Sequence, residues 1–219
     1  MVNSVDNYKV CTRCVMDTTD PLITFDDNGV CNHCHDYDKN IAVLPTGHVA
    51  TLELERLVEK IKRGSKGREY DCVIGLSGGV DSTYVAYFIT KELGLKPLAV
   101  HLDNGWNSEL AVQNIENIVK KLNIDLFTHV IEWEEFKDLQ LSFLKASTPD
   151  SEVPTDHAIF AILRKVARKY RIKYVINGIN LKTESHHPSS WSQGHSDWKY
   201  IREIQRQFGT KSLRTYPHG

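Results

Sequence analysis

The stretch from Cys72 to Thr83 limits what this chain can fold into more than any other. Cys72-Val73-Ile74-Gly75-Leu76 is a short apolar strand that runs straight into Ser77-Gly78-Gly79-Val80-Asp81-Ser82-Thr83. A helix follows, because Val85, Phe88, Ile89 and Leu93 recur at helical spacing. The glycines let the backbone turn sharply and bring its N–H groups to an anion with no Cβ in the way. The helix start adds unpaired N–H donors and the positive end of a dipole. Ser77, Ser82 and Thr83 add hydroxyls. All the parts of a phosphate cradle are present.

From Tyr70 onward, apolar runs alternate with helical stripes. Strands are predicted over 71–76, 97–102, 126–131 and 173–176. Ile115, Ile118, Val119 and Leu122 mark one intervening helix. Ile159, Ile162, Leu163 and Val166 mark another, with Pro154 and Asp156 near its start. Gly94 is expected at the C-cap of the helix after the loop. The alternation predicts an α/β fold, a doubly wound parallel sheet covered on both faces. Such sheets bind ligands at the carboxyl ends of their strands, where the glycine loop lies.

Four of the five cysteines form Cys11-x2-Cys14 and Cys31-x2-Cys34, with 16 residues between the pairs. Disulfides are rare in cytosolic chains, so two such knuckles predict a tetrahedral four-cysteine zinc ribbon at the N-terminus. Arg13, Asn32 and the turn Asp26-Asp27-Asn28-Gly29 suit knuckle and hairpin geometry. Four thiolates close a site, so its expected task is folding and docking. An iron–sulfur cluster is the alternative occupant. His33 and His35 are surplus to four ligands, and Cys72 is expected to be a small core residue. Residues 1–40 show no helical period, whereas Leu54, Leu57, Val58 and Ile61 predict a helix at about 51–63. Residues 63–68 read as a linker. The expected organisation is a zinc ribbon over 1–45, helix and linker over 46–69, and a nucleotide domain over 70–219.

The 219 residues suffice for one α/β domain plus such an appendage. Net charge is −1 and the pI near 6.8, which gives no push toward nucleic acid. The basic clusters at 60–68 and 164–173 read as solvated helix faces or as sites for an anionic ligand. No apolar run approaches the roughly 20 residues of a membrane helix, and residues 1–6 are too polar for a signal peptide. A cytoplasmic protein without membrane association is expected.

The loop lacks the lysine of G-x-x-x-x-G-K-[ST]. Ser77-Gly78-Gly79-Val80-Asp81-Ser82 instead resembles the S-G-G-x-D-S signature of the PP-loop ATP pyrophosphatases, HUP-like α/β enzymes that cleave ATP between its α and β phosphates. The resemblance implies nucleotide contacts from Leu76, Ser77, Gly78, Gly79, Asp81, Ser82, Thr83, His101, Asp103 and Gly178. It implies catalytic roles for Asp81 and Ser77, with Asp81 holding Mg²⁺ through the phosphates. Asp81 could instead be a helix cap, and Asp103 a turn residue of Asp103-Asn104-Gly105.

Cys11-Thr12-Arg13-Cys14-Val15-Met16-Asp17-Thr18, Phe25 through Cys34, Val73 through Ser82 and His101 through Asn107 together resemble the N-acetyl sugar amidotransferase family of O-antigen and lipopolysaccharide biosynthesis. That resemblance implies adenylation of an acetamido oxygen on a nucleotide-linked sugar, typically a UDP-linked 2,3-diacetamido uronic acid. Ammonia from a separate glutaminase subunit then displaces AMP to leave an acetamidino group. ATP, Mg²⁺ and structural Zn²⁺ are the implied cofactors. Candidate sugar contacts are Asp156, which could equally cap its helix, together with Asn180, Glu184 and His186 in or before a polar loop. Members of the family continue beyond the end of this sequence, so a shortened chain is expected. A tRNA-thiolating PP-loop enzyme and a non-catalytic docking adaptor are the rival readings.

Overall fold

Four strands rich in Val, Ile, Leu and Ala form one parallel sheet in this computed structural model, which describes residues 8–184, 188, 191 and 194–218. The strands are β1 (Cys72–Gly75), β2 (Pro97–Asp103), β3 (Asp125–Val130) and β4 (Val175–Ile176), in the order β3-β2-β1-β4. Gly75 pairs with Val100 and Asp103 with Val130, so the carboxyl ends of β1, β2 and β3 lie in register. After β1 the chain builds outward on one side, then returns to place β4 on the other. β1 and β4 therefore flank the switch point at which open α/β sheets take ligands.

Strand alternation sorts the side chains to two faces. Cys72, Ile74 and Leu76 pack with Ala86, Ile89, Ile115 and Leu122 on one. Val73, Leu98 and Val100 pack with Ile162, Leu163 and Val166 on the other. The first layer comes from α3 (Val80–Tyr87), a π-helical segment (Phe88–Glu92) and α4 (Glu109–Leu122), and the second from α6 (Val153–Lys169). Both faces of β1 are thus covered, which is why its apolar run does not alternate. α5 (Trp133–Lys145) and α8 (Trp198–Phe208) share a third cluster built on Phe136, Leu139, Phe143 and Ile201.

The predicted strands and helices are found with shifted ends. The last strand shrinks to two residues, although Val73 N still donates to Tyr174 O at 2.9 Å. The helix after the loop changes to π-geometry at Phe88, its C-cap is Leu93, and Gly94 follows with φ +62°. The stretch read as a linker begins inside α2 (Gly47–Gly64), and Arg68 beyond it is tied to the carbonyl of Arg171. α5 and α8 lie outside the predicted elements.

The chain divides into a unit of residues 52–179 and 194–219, which holds the sheet, and a smaller unit of residues 1–51 and 180–193. In the smaller unit two antiparallel bridges, Val10 with Asp17 and Phe25 with Cys31, form the knuckles. Asp26 Oδ1 accepts from the N–H groups of Asn28 and Val30, both at 2.9 Å, and fixes the turn between them. Contrary to expectation a helix, α1 (Asn32–Ala42), leaves the second knuckle. It buries only Cys34, so it carries no apolar stripe to betray it. α7 (Leu181–Glu184) also belongs to this unit.

Candidate active site

The loop leaves β1 at its carboxyl end and enters α3 at Val80. Its shape is set by contacts to α4. Gly78 has φ +79°, and a Cβ there would lie 2.4 Å from the carbonyl oxygen of Ala111. Asn114 Nδ2 donates to Gly78 O at 3.1 Å. Ser77 Oγ and Ser82 Oγ are 3.1 Å apart, Ser77 N donates to Ser82 Oγ at 3.3 Å, and Ser82 Oγ donates to Gly79 O at 3.1 Å. These bonds close the loop on itself.

Ser108, Glu132 and Asp197 cap α4, α5 and α8 by accepting from first-turn N–H groups. The N-cap of α3 is Gly79, which has no side chain to do this. Thr83 N donates to Gly79 O as an ordinary helical bond. Ser77, Gly79 and Asp81 are exposed, so the loop presents a hydroxyl, an uncapped helix start and one carboxylate to solvent. Asp81 is therefore in the first turn of α3 and is not its cap.

The neighbouring strand end is tied to the loop from beneath. His101 is 7% exposed, and its Nδ1 lies 2.9 Å from Leu76 O. A carbonyl only accepts, so Nδ1 is the donor and Nε2 accepts from Asn107 Nδ2 at 3.2 Å. Both nitrogens are engaged, and the ring is a strut under the loop. The backbone of Leu76 is likewise spent, its N–H on Val100 O and its carbonyl on His101. Asp103 Oδ1 accepts from Gly105 N at 3.1 Å and from Asn107 Nδ2 at 3.0 Å. One carboxylate oxygen thus holds the turn. Gly105 has φ +81°, and Trp133 lies 2.7 Å from where its Cβ would be.

Gly178 stands after β4, where a Cβ would meet the backbone of Asp81 at 3.4 Å. The close neighbour that favours glycine there is the start of α3. Asp156 is in the first turn of α6, whose N-cap is Glu152, so Asp156 is not a cap. Burial raises its carboxyl, Asp150 and Glu152 add to this, and His195 at 3.5 Å opposes it. Asn180 and Glu184 satisfy each other across α7. Glu184 Oε2 accepts from Asn180 N at 3.1 Å and Glu184 N donates to Asn180 O at 2.9 Å, while Asn180 Oδ1 accepts from Lys182 N at 3.0 Å. His186 lies outside the described residues. Asn114, Asn107 and Trp133 also shape the site. Nothing in their spacing marks them, since each acts through the fold.

In the smaller unit the Sγ atoms of Cys11, Cys14, Cys31 and Cys34 all lie within 4.8 Å of one another. Cys11 and Cys34 are 3.9 Å apart, and Cys14 and Cys31 are 3.7 Å apart. A tetrahedral ion with metal–sulfur bonds near 2.3 Å sets its sulfurs about 3.8 Å apart, so the cluster fits one. Burial works against charge on Cys11, but N–H groups of Arg13, Cys14 and Cys31 outweigh it and pull the thiol to about 6. Burial raises the thiols of Cys31 and Cys34 beside it, so an ion would have to displace their protons. Cys72, by contrast, is fully buried in β1, and burial with Asp71 nearby pushes its thiol up to about 12.

Comparison with known proteins gives relatives over parts of the chain. An uncharacterized protein of Methanocaldococcus jannaschii is 27% identical over 175 residues, 78% of this chain and 59% of its own length. One subunit of the glutamine-hydrolyzing GMP synthase of Methanococcus vannielii is 33% identical over 130 residues, 57% of this chain and 39% of that protein. The structure of NMN synthetase from Francisella tularensis aligns with a TM-score of 0.42 at 24% identity, covering 57% of this chain and 52% of that one. The chain thus spans about three fifths of the length of the first of these relatives and less of the others. The NAD synthase family model matches residues 53–180, which take in the glycine loop, β2 and Gly178. Because that match covers more than half of the chain, the protein belongs to the NAD synthase family, within the PP-loop superfamily that its loop resembles.

Proposed function

We propose that this protein is an ATP-dependent, AMP- and pyrophosphate-forming amidotransferase acting on a nucleotide-linked N-acetylated sugar. The observation that carries the reading is the loop itself. Gly78 is wedged against Ala111, α3 is left uncapped, and Ser77 and Ser82 lock the turn. A rigid set of N–H donors aimed at one place stabilises an anion as it departs without reorganising.

The amide oxygen of the substrate attacks the α-phosphorus of ATP. A P–O bond forms there, the bond to the bridging oxygen breaks, and pyrophosphate leaves. Backbone N–H groups of Gly78 and of residues 80–82, with the Ser77 hydroxyl, receive its charge. The amide carbon, now an imidate bearing AMP, is attacked by ammonia. Its C–O bond breaks, AMP departs, and the amidine keeps a proton that ammonia brought. Mg²⁺ held through the phosphates by Asp81 would neutralise charge on the leaving pyrophosphate, with Asp103 a second candidate ligand. His101 acts by holding Leu76 at the loop entrance. A zinc ion on the four cysteines would serve folding of the smaller unit.

A separate glutaminase subunit supplies the ammonia, in keeping with a relative named as one subunit of a glutamine-hydrolyzing enzyme. A UDP-linked 2,3-diacetamido uronic acid and O-antigen biosynthesis follow from the resemblance, and a cytoplasmic setting from the polar residues 1–6. Among the described residues no helix is long and apolar enough to cross a membrane. The tRNA-thiolating alternative needs a sulfur carrier, and Cys72 is fully buried with its thiol pushed up.

The test is incubation with Mg·ATP, ammonium and the diacetamido sugar, with nucleotides separated by chromatography. AMP and pyrophosphate that appear only with the sugar support the reading, and ADP as the product overturns it.

A further inference from the structure

Helix α2 is 18 residues long and buries only Ile61. Helices in proteins draw most of their stability from packing an apolar face, and the face of α2 is largely uncovered. Leu54 and Val58 are half-buried, and Leu57 is 47% exposed. Beside them runs a cavity of about 340 Å³. Leu54, Leu57 and Val58 form one wall, and Tyr84 and Phe88, from α3 and the π-helical segment, form the other. Tyr84 is exposed and stacked on Phe88, with ring centroids 5.9 Å apart. β4 is an outer strand of the sheet, and its exposed Val175 lines the same cavity. An apolar groove beside a sheet edge, with exposed aromatic rings along it, marks an interface.

The charges on α2 identify the occupant. Glu53, Glu55, Arg56, Glu59, Lys60 and Arg63 are all exposed, and none is in an ion pair or hydrogen bond among the described residues. At about 100° per residue, Glu53, Leu57 and Lys60 lie in one stripe about 60° wide. The glutamate stands about 6 Å before Leu57 along the axis, and the lysine about 4.5 Å after it. Reversed end to end, the stripe is therefore its own complement. When a second copy of α2 lies antiparallel across a two-fold axis at Leu57, each Glu53 faces the Lys60 of the other copy. The two Leu57 side chains meet between these pairs. An isologous interface requires self-complementarity of this kind. A parallel copy would set like charge against like.

We propose that the protein forms a two-fold dimer through this face, with α2 antiparallel to its copy and Glu53–Lys60 pairs on both sides of Leu57. Burial of the apolar groove supplies the affinity. The rim pairs, worth little by themselves, fix direction and register. The dimer does not depend on the reaction assigned above.

Sedimentation equilibrium of the full chain tests this. A helix pair is small beside the roughly 800 Å² per partner of standard complexes, so a dissociation constant in the micromolar range is expected. As concentration rises through that range, the mass should climb from 25.0 kDa toward twice that value. Leu57→Arg is expected to leave a monomer throughout. Glu53→Lys and Lys60→Glu each turn both pairs into like-charge contacts and should weaken association about tenfold or more. The double variant E53K/K60E rebuilds both pairs with the signs exchanged and should associate as the wild type does. All three side chains are exposed, and a thermal melt of each variant checks that the fold is kept. A wild-type chain that stays monomeric gives the groove to another protein or to an apolar ligand and overturns the proposal. A dimer indifferent to L57R, or a double variant that associates no better than the single ones, overturns it as well.

Discussion

His101 Nδ1 donates to the carbonyl oxygen of Leu76 at 2.9 Å, so a side chain from the end of one strand holds the backbone of the next where the loop begins. Asn107 secures the other ring nitrogen and the Asp103 carboxylate together. Replacing His101 with Leu leaves a buried carbonyl unmatched, and we expect a loss of about 1–3 kcal/mol in stability. Since the same bond positions the loop, ATP affinity should fall by about tenfold. Denaturant melts and equilibrium binding measure the two effects, and unchanged ATP affinity would contradict the role of the strut.

Gly78 and Gly67 share a positive φ, +79° and +78°, but not their surroundings. A Cβ on Gly78 meets the Ala111 carbonyl at 2.4 Å, whereas one on Gly67 has nothing within 4 Å. Gly67→Ala should cost about 1–2 kcal/mol of backbone strain and leave ATP binding alone. Gly78→Ala should abolish ATP binding, because the obstruction is backbone of α4 and cannot rotate away. Parallel thermal melts and nucleotide titrations of the two variants separate strain from site damage.

The cysteine centre should hold one tightly bound metal ion per chain, measured by elemental analysis of protein purified without added metal. Thiol titration with an aromatic disulfide then sorts the five cysteines. With metal present, none should react quickly. A strong chelator should release four, while Cys72, buried and with its thiol raised to about 12, should wait for denaturant. Five thiols reactive at once in the native protein would contradict both assignments.

Asp138 latches the segment after α8 onto α5. Its carboxylate accepts from Gln205 Nε2 at 2.6 Å, Thr210 N at 2.8 Å, Thr210 Oγ1 at 2.7 Å and Lys211 N at 2.9 Å. Burial alone would raise its pKa, but these donors lower it from 3.8 to about 2. A depressed carboxylate contributes stability in full above its unfolded value and loses it as pH falls through the folded one. The contribution should therefore be intact above about pH 5 and disappear between about 4 and 2. Asp138→Asn, which turns an amide N–H toward existing donors, should cost about 3 kcal/mol at neutral pH and flatten that part of the acid-unfolding profile.

The sequence disclosed what local chemistry determines. The loop could be read because strand, glycines and helix stand consecutively from Cys72 to Leu93, and the cysteine cluster because its ligands come in spaced pairs. The strands were legible because β1 and β2 open on apolar runs and β3 and β4 each keep apolar residues beside polar ones between the helical stripes. What escaped depends on distant partners. α1 has one buried residue and so no period. α5 does carry Phe136, Leu139 and Phe143 on one face, a stripe that its acidic residues obscure. His101 reads as a ligand contact in sequence, and its bonds to Leu76 and Asn107 could not be read there, since only the fold brings those partners to its two nitrogens. Asn180 and Glu184 stand out as polar residues near a strand end, and four residues of helix turn them toward each other.

The central claim is that an amide oxygen of the substrate is adenylated. Labelling the acetamido carbonyl with ¹⁸O tests it directly, because the mechanism breaks the bond between carbon and that oxygen after joining it to phosphorus. Mass spectrometry of the products after a single turnover with ATP and ammonium should place one ¹⁸O in AMP and none in pyrophosphate. Label retained in the sugar, or found in inorganic phosphate, would contradict the account.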